Sequence, residues 1–307
     1  MANQTLAVVN PHSANGRTGR EWPRIAAALE RAIGPFDHGL TEGPGHATRL
    51  CREALAAGAE RIISVGGDGT NNEIINGFYA AGRPLNPQAR LGFIPRGTGG
   101  DLRRTLGVGL KLADCLPLLE RDRTRPIDLG RCRFSGPDGQ PVERLFINIT
   151  SFGLGGLVDR TVNESSKALG GKTSFLLGTL RALWRYRNRR VRLRVDDTFD
   201  RELLINNIAV ANGRFHGGGM QVAPTAAPDD GLFDVVVIGD LTKPAMLRLS
   251  RHIYKGGHLA HPEVFHLQGR RVEADSDEEV LIDMDGEQPG RLPITLDILP
   301  AALQVIA

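Results

Sequence analysis

The 307-residue sequence predicts an α/β protein: a doubly wound parallel sheet in an N-terminal domain, followed by a mainly antiparallel β domain with added helices. Three observations predict it. Over roughly the first 120 residues, short apolar runs alternate with amphipathic helical stretches, as they do when parallel strands are joined by crossover helices. Two of those runs end in glycine-rich turns that lead directly into a helix. Beyond about residue 125 the helical period fades, and strand-like runs follow one another between glycine and aspartate turns.

In chain order, "TLAVV" (5–9) is a short apolar run ahead of a polar, glycine-containing loop. In "EWPRIAAALERAI", Ile25, Leu29, Ala32 and Ile33 share one helical face. A strand at 36–40 precedes "GHATRLCREALAAG", where Ala47, Leu50, Cys51, Ala54 and Leu55 repeat the i, i+3, i+4, i+7 spacing. "RIISV" (61–65), a helix beginning near Thr70, "RLGFIP" (90–95) and a helix opening near Gly100 complete the alternation.

In the second half, "RPIDLGRCRF", "ERLFINIT", "VRLRVDD", "ELLINNIAVAN", "LFDVVVIG", "EVFHLQG", "EVLIDMDGE" and "LPITLDIL" have the character of strands. Helical patterns near 156–169, 173–188 and 243–255 interrupt them. The final "AALQVIA" is apolar and is a candidate to pack back on the first domain. The expected limits are therefore 1–125, with 298–307 as a candidate completion, and 126–297.

Net charge is only +3, from 38 basic and 35 acidic residues, which argues against the strongly basic footprint of a dedicated nucleic-acid binder. Cys51, Cys115 and Cys132 lie far apart with no C-x-x-C, so they form neither a disulfide framework nor a zinc site. Cys51 and Cys115 fall within helical patterns, where a reduced, buried thiol is the plain expectation. "MANQTLAVVN" has no basic n-region and no long apolar stretch, unlike a signal peptide. No segment approaches the roughly 18 apolar residues of a membrane span. The expectation is a soluble, cytoplasmic protein whose membrane contact is peripheral.

"SVGGDGTNNEIINGF" is strand, glycine turn and helix, with Thr70 or Asn71 as a cap and Glu73 near the first turn. "LGFIPRGTGGDLRRTLG" repeats the construction with Arg96 and Thr98. Ligands of open parallel sheets sit beyond the carboxyl ends of the strands. Two neighbouring turns there would place two sets of backbone N–H donors around one polyphosphate. A single such loop is equally well explained as a tight βα turn. Two, each with hydroxyls and an acid, favour a nucleotide. Neither fits the Walker A or the G-x-G-x-x-G pattern. Asp68 would repel a bare phosphate, so either the turn binds nothing negative or Asp68 works with a cation or a proton.

"GGDGTNNEIING" (66–77) resembles the signature of the diacylglycerol kinase catalytic-domain family, shared with sphingosine kinases: G-G-D-G-T, two free positions, E, two more, and N-G. "NPHSANGRTG" (10–19), "TEGPGHA" (41–47), "PRGTGGD" (95–101), "GGGMQVAPTAAPDDGLFDVVVI" (217–238) and "MDGE" (284–287) resemble further blocks of that family, in order. Gly100 stands where the family has Asn. NAD kinases and phosphofructokinases share G-G-D-G, but their later blocks are missing here.

The resemblance implies an ATP- and Mg²⁺-dependent lipid kinase that phosphorylates the hydroxyl of diacylglycerol to phosphatidic acid. A sphingoid base or phosphatidylglycerol is the alternative acceptor, and a non-catalytic nucleotide- or lipid-binding regulator is the alternative class. Residues 1–125 would then bind the nucleotide and 126–297 the lipid. ATP is expected around Asn10, Thr41, Gly66, Gly67, Asp68, Gly69, Thr70, Asn71, Asn72, Arg96, Gly97 and Thr98. Asp68 would hold Mg²⁺, often through water, or orient the attacking hydroxyl. Glu287 is the implied general base, by resemblance alone; the residues themselves do not prefer it to Asp283 or Asp285.

"APDDGLFD" (227–234) is by its residues a β-turn, with a hard-cation site as the alternative. The resemblance implies both, with Mg²⁺ held by Asp230 and the backbone oxygens of Ala227 and Leu232. "VLIDMDGEQPG" (280–290) has the form of a hairpin. "RFHGGGM" (214–220) suggests a bulge or the wall of a cleft, with His216 structural or lining. "KTSFLLGTLRALWRYRNRRVRLR" (172–194) sets Phe175, Leu176, Leu180, Leu183 and Trp184 along one helical side, with Arg181, Arg185, Arg187, Arg189 and Arg190 beside them. A helix packed on the β domain with solvated arginines is the favoured reading, and contact with an anionic membrane is the alternative. Expected partners are a lipid alcohol, the membrane surface and, as a candidate, a second copy in a homodimer, with no nucleic acid.

Overall fold

Three of the apolar runs form the middle of a parallel sheet: β1 (Thr5–Val9), β3 (Arg61–Gly66) and β6 (Arg90–Pro95) are buried over most of their length. Strands covered on both faces can be apolar at every position, which explains why these runs show no alternation. The structure is a computed structural model that describes residues 4–97, 99–164 and 184–307. The chain divides into two units, Met1–Leu129 with Pro300–Ala307, and Gly130–Leu299.

In the first unit β2 (Asp37–Leu40) pairs with β1, and the C-terminal end of β17 (Glu287–Ile306) pairs with β6. The order is β17, β6, β3, β1, β2, and every pair in it is parallel. The terminal "AALQVIA" thus joins the sheet through Gln304 and Val305, opposite Arg90 and Leu91. β2 lies on one side of β1 and β3 on the other. With right-handed crossovers, α1 (Arg17–Ile33) and α2 (His46–Ala56) therefore cover opposite faces. α3 (Asp68–Gly77) packs with α2, and α5 (Leu112–Arg121) with α1. Between β3 and β6 lie α3 and a short hairpin of β4 (Tyr79–Ala80) and β5 (Arg83–Pro84); α4 (Asp101–Leu106) follows β6. Trp22, Ile25 and Leu29 of α1, and Ala47, Cys51 and Leu55 of α2, face inward as their spacing requires. All three cysteines are buried free thiols, and burial raises each thiol pKa, that of Cys115 to about 11.

Two local expectations are corrected. α3 begins at Asp68, not near Thr70, so Thr70 and Asn71 are buried inside the helix and cap nothing. Glu73 does not serve its own helix either. Its carboxylate accepts from the N–H groups of Gly45 (2.9 Å) and Ala47 (3.0 Å), at the N-terminus of α2.

The second unit is antiparallel. β7 (Thr124–Ser135) pairs with β8 (Pro141–Phe146). β9 (Ile149–Gly153) runs into α6 (Leu154–Glu164). β10 (Arg189–Val195) pairs with β11 (Phe199–Ile205), and β12 (Asn207–Ala211) lies between β9 and β13 (Phe233–Ile238). α7 (Lys243–Ile253) precedes β14 (Val264–Gly269), β15 (Arg271–Asp275) and β16 (Leu281–Met284). One face buries Phe146, Phe152, Phe233, Val235 and Leu193, with the rings of Phe146 and Phe233 stacked at 5.6 Å. The other packs Ile149, Ala209 and Val236 with Met246, Leu249 and Ile253 of α7.

Most of the segment expected as a basic helix at 172–194, including Phe175, Leu176, Leu180, Arg181 and Leu183, lies outside the described residues. Trp184 and Arg185 are helical, but Arg189 and Arg190 are extended in β10. Among the described residues, no helix is long and apolar enough to cross a membrane.

Candidate active site

The strand order of the first sheet reverses at β1, and the crevice between the ends of β1 and β3 is where such a sheet presents backbone donors to a ligand. Asn10 closes β1 there. Its N–H donates to the Val65 carbonyl (3.0 Å), and its Nδ2 donates to Thr70 Oγ1 (3.1 Å). Thr41, just past β2, is buried and donates its N–H to Val9 (2.8 Å). Ser64 donates its hydroxyl to Asn71 Oδ1 (2.6 Å), and Asn72 is buried with its carbonyl accepting from Asn76 Nδ2 (2.8 Å). Asn71 and Asn72 therefore brace α3 from within.

The two glycine turns touch through their backbones. A Cβ on Gly97 would lie 2.7 Å from the Gly67 Cα, and one on Gly66 would lie 2.5 Å from Thr70 Oγ1. No side chain fits at either position, so glycine is required here for close approach. The Arg96 N–H donates to the Gly66 carbonyl (2.7 Å) and locks the turns in step. A pocket lined by Gly66, Gly67, Asp68, Gly97, Gly100 and Arg103 opens between them. Gly69 lies in the first turn of α3. The Arg96 guanidinium points to Glu21 of α1 and pairs with it, and burial lowers its pKa. Thr98 lies outside the described residues.

Asp68 opens α3 and crosses to the start of α4. Its carboxylate accepts from the N–H groups of Gly100 (2.9 Å) and Asp101 (3.3 Å). Burial first, and the charge of Asp101 second, push its pKa above the ordinary carboxylate value, against the pull of those backbone donors. A Cβ on Gly99 would sit 3.1 Å from an oxygen of Asp68 and 3.8 Å from one of Asp101. Two carboxylates, Asp101 buried and Asp68 half-buried, thus share one turn; Arg104 pairs with Asp101 at 3.7 Å, and a divalent cation would offset the rest of their charge. Asp101 is a candidate site residue that sequence reasoning passed over, although it ends the quoted "PRGTGGD" block.

Gly100 adopts the left-handed conformation, φ 61° and ψ 45°, as the N-cap of α4. Glycine and asparagine are the residues that most readily enter that region. The exchange of Asn for Gly therefore preserves the backbone geometry that delivers an N–H to Asp68.

In the second unit the three acids of "DMDGE" separate. Asp285 accepts from the N–H groups of Ile147, Asn148 and Ile149, each at 3.1 Å. Asp283 is fully buried and accepts from His216 Nε2 (2.7 Å), Ser151 Oγ (3.2 Å) and the Gly286 N–H (3.0 Å). Glu287 keeps 42% of its side chain in solvent and pairs with Arg144 at 3.3 Å. Of the three, only Glu287 has a carboxylate an incoming alcohol could reach. His216 is a strut that joins the glycine loop 216–220 to this turn, and Gly217, Gly218 and Gly219 all have positive φ.

Asp230 is exposed, and its Oδ1 accepts from the Leu232 N–H (3.0 Å), closing a side-chain turn. Its second oxygen and the carbonyls of Ala227 and Leu232 are hard donors of the type Mg²⁺ takes. Among the described residues no three His, Cys, Asp or Glu side chains converge as a metal cluster. A divalent ion would therefore lean on backbone oxygens, water and phosphate, as Mg²⁺ commonly does.

Residues 4–132 match the diacylglycerol kinase catalytic domain, and residues 148–307 match the YegS C-terminal NAD kinase beta sandwich-like domain. The chain is 32% identical to a YegS-like lipid kinase of Chromohalobacter salexigens, over 95% of this chain and 91% of that one. It is 29% identical to a diacylglycerol kinase of Bacillus subtilis, over 93% and 90% respectively. The crystal structure of a diacylglycerol kinase from Bacillus anthracis superposes with a TM-score of 0.76 at 26% identity, covering 98% of this chain and 96% of that one. An NAD kinase from Archaeoglobus fulgidus shares the fold alone, with a TM-score of 0.51 at 15% identity.

Proposed function

The chain belongs to the family of diacylglycerol kinases and YegS-like lipid kinases, and from that premise we propose that it transfers the γ-phosphoryl group of ATP to the hydroxyl of diacylglycerol. In this reaction the acceptor oxygen bonds to the γ-phosphorus, the bond to the β,γ-bridging oxygen breaks, and ADP leaves as phosphatidic acid forms. The observation that carries the reading is the pair of glycine turns in backbone contact, with Asp68 fixed across them by the N-terminus of α4.

The chain's own groups divide the work. Backbone N–H groups of the two turns and the N-terminus of α3 bind phosphate oxygens. Asp68 and Asp101 would hold Mg²⁺, which when bound offsets the phosphate charge. Glu287, assigned by family likeness and by its accessible carboxylate, takes the proton of the acceptor hydroxyl. Asp230 with the carbonyls of Ala227 and Leu232 is the proposed structural Mg²⁺ site.

The test is transfer of label from [γ-³²P]ATP by purified protein with Mg²⁺ and a panel of lipid alcohols. The reading expects an organic-extractable product, fastest with diacylglycerol, and little product from Asp68→Ala. Faster labelling of a sphingoid base or phosphatidylglycerol would replace the acceptor. Full activity in both Asp68→Ala and Glu287→Gln would overturn the assignments.

A further inference from the structure

α7 carries a face that the phosphate chemistry leaves unused. Met246, Leu249 and Ile253 turn into the core, while Leu247, Arg248, Arg251, Tyr254 and Lys255 stay outside. Leu247 and Tyr254, seven residues apart and so on one stripe, are 51% and 56% exposed. Arg251 lies between them on that stripe, and Arg248 and Lys255 flank it with the same spacing. Trp184, 71% exposed, joins at the first turn of the helix: Lys243 Nζ sits 5.6 Å from its ring centroid and bonds its carbonyl oxygen.

A single exposed leucine calls for no explanation, but a cluster does. The charge along the helix itself is of a single sign. Between Leu241 and Pro262 there is no Asp or Glu, while Lys243, Arg248, Arg251 and Lys255 are all present. Elsewhere in the unit some exposed arginines pair with acids, as Arg192 does with Asp200 and Arg190 with Glu202. Aliphatic and aromatic tips beside cations that pair with no acid among the described residues complement one surface in particular: anionic headgroups over hydrocarbon, where Trp and Tyr settle at the interface and Lys and Arg reach phosphates.

We propose that the exposed side of α7, together with Trp184, is the face on which this enzyme docks on an anionic bilayer. The proposal rests on the reading that the acceptor is a membrane lipid. Of the 172–194 segment that the sequence offered as the alternative membrane contact it keeps Trp184 alone, and it centres the contact on a helix whose buried side is anchored in the core.

Co-sedimentation of the full chain with phosphatidylcholine vesicles, with and without phosphatidylglycerol, tests it. Wild type should sediment with the anionic vesicles only, and high salt should release it. Arg248→Gln/Arg251→Gln should lower partitioning by roughly thirtyfold, about fivefold for each cation lost. Leu247→Ser/Tyr254→Ser should also lower it. Both variants should phosphorylate a water-soluble short-chain diacylglycerol as wild type does, while losing activity on vesicle-borne substrate; that retained activity shows they are folded. Wild type that ignores anionic vesicles, or variants that bind them as well as wild type, would overturn the docking face. So would substitutions that dissociate a dimer and leave vesicle binding intact. If wild type binds vesicles through these residues yet phosphorylates no diacylglycerol, the proposed reaction falls and the docking face stands.

Discussion

At the end of β3, Asp68 is half-buried and held by two backbone N–H groups of the next glycine turn, whereas Glu287, at the start of β17, keeps 42% of its side chain in solvent beside Arg144. The difference matches the role proposed for each acid. A carboxylate that works beside phosphates must not swing away, and backbone donors fix it without side-chain freedom of their own. A carboxylate that accepts a proton must be reachable by the alcohol. Within the Glu287 turn the same division recurs at short range: Asp283 and Asp285 are buried against hydroxyl, imidazole and backbone donors, and shape the turn that presents Glu287.

The strongest way to break the comparison is kinetic. Asp68→Ala should reduce label transfer by roughly 10²–10³-fold, the usual cost of removing a group that organises transition-state charge. Glu287→Gln should cost about 10²–10⁴-fold with ATP binding retained. Equal activity in wild type and either variant would remove that residue from the reaction.

The second test concerns stability. Asp285→Ala leaves three buried N–H groups without their acceptor and should destabilise the protein by at least about 3 kcal/mol in urea unfolding. Glu287→Gln, whose pair with Arg144 is partly exposed, should change stability by less than about 1 kcal/mol. The reverse order would contradict the division between shaping and acting acids.

A smaller effect lies in the pH dependence. The folded-state pKa of Asp68 is raised, so over the window from the ordinary carboxylate range upward the native state keeps a proton that the unfolded chain has released. Stability contributed through Asp68 is therefore full below about pH 4 and falls as pH rises through the raised value. Asp68→Asn removes this dependence, so its Tm should fall less than that of wild type as pH rises from that range toward neutrality. A parallel fall in both proteins would show that burial and Asp101 do not perturb the group.

The smallest change is expected at Gly100. Gly100→Asn should shift stability by less than about 1 kcal/mol, because Asn tolerates the left-handed region, while Gly100→Val should cost about 1–2 kcal/mol. Differential scanning calorimetry separates the two.

How much of this was legible in the residues depended on the range of the interaction. The parallel sheet showed itself because buried strands are apolar throughout and their helices are amphipathic, both local properties. The glycine turns were visible for the same reason. β15 was not expected, since "RVEAD" is short and carries two acids; it is held by pairing with β10 and β17. Glu73 looked like a cap for its own helix because capping is inferred from near neighbours, yet its partners lie 26 and 28 residues away. The choice among Asp283, Asp285 and Glu287 was invisible because it rests on burial by residues 136 to 138 positions distant. Asp101 could have been found: it stands in a quoted block beside Gly100, and a second acid in a phosphate turn raises the same question as the first.

Titration of a non-hydrolysable ATP analogue with Mg²⁺ into wild type and Gly97→Val tests the central claim most directly, because a side chain at Gly97 would drive into Gly67 and part the two turns. We expect saturable heat of binding in wild type and none in the variant, with both proteins unfolding cooperatively. Equal binding in the two, or none in wild type, would contradict the account.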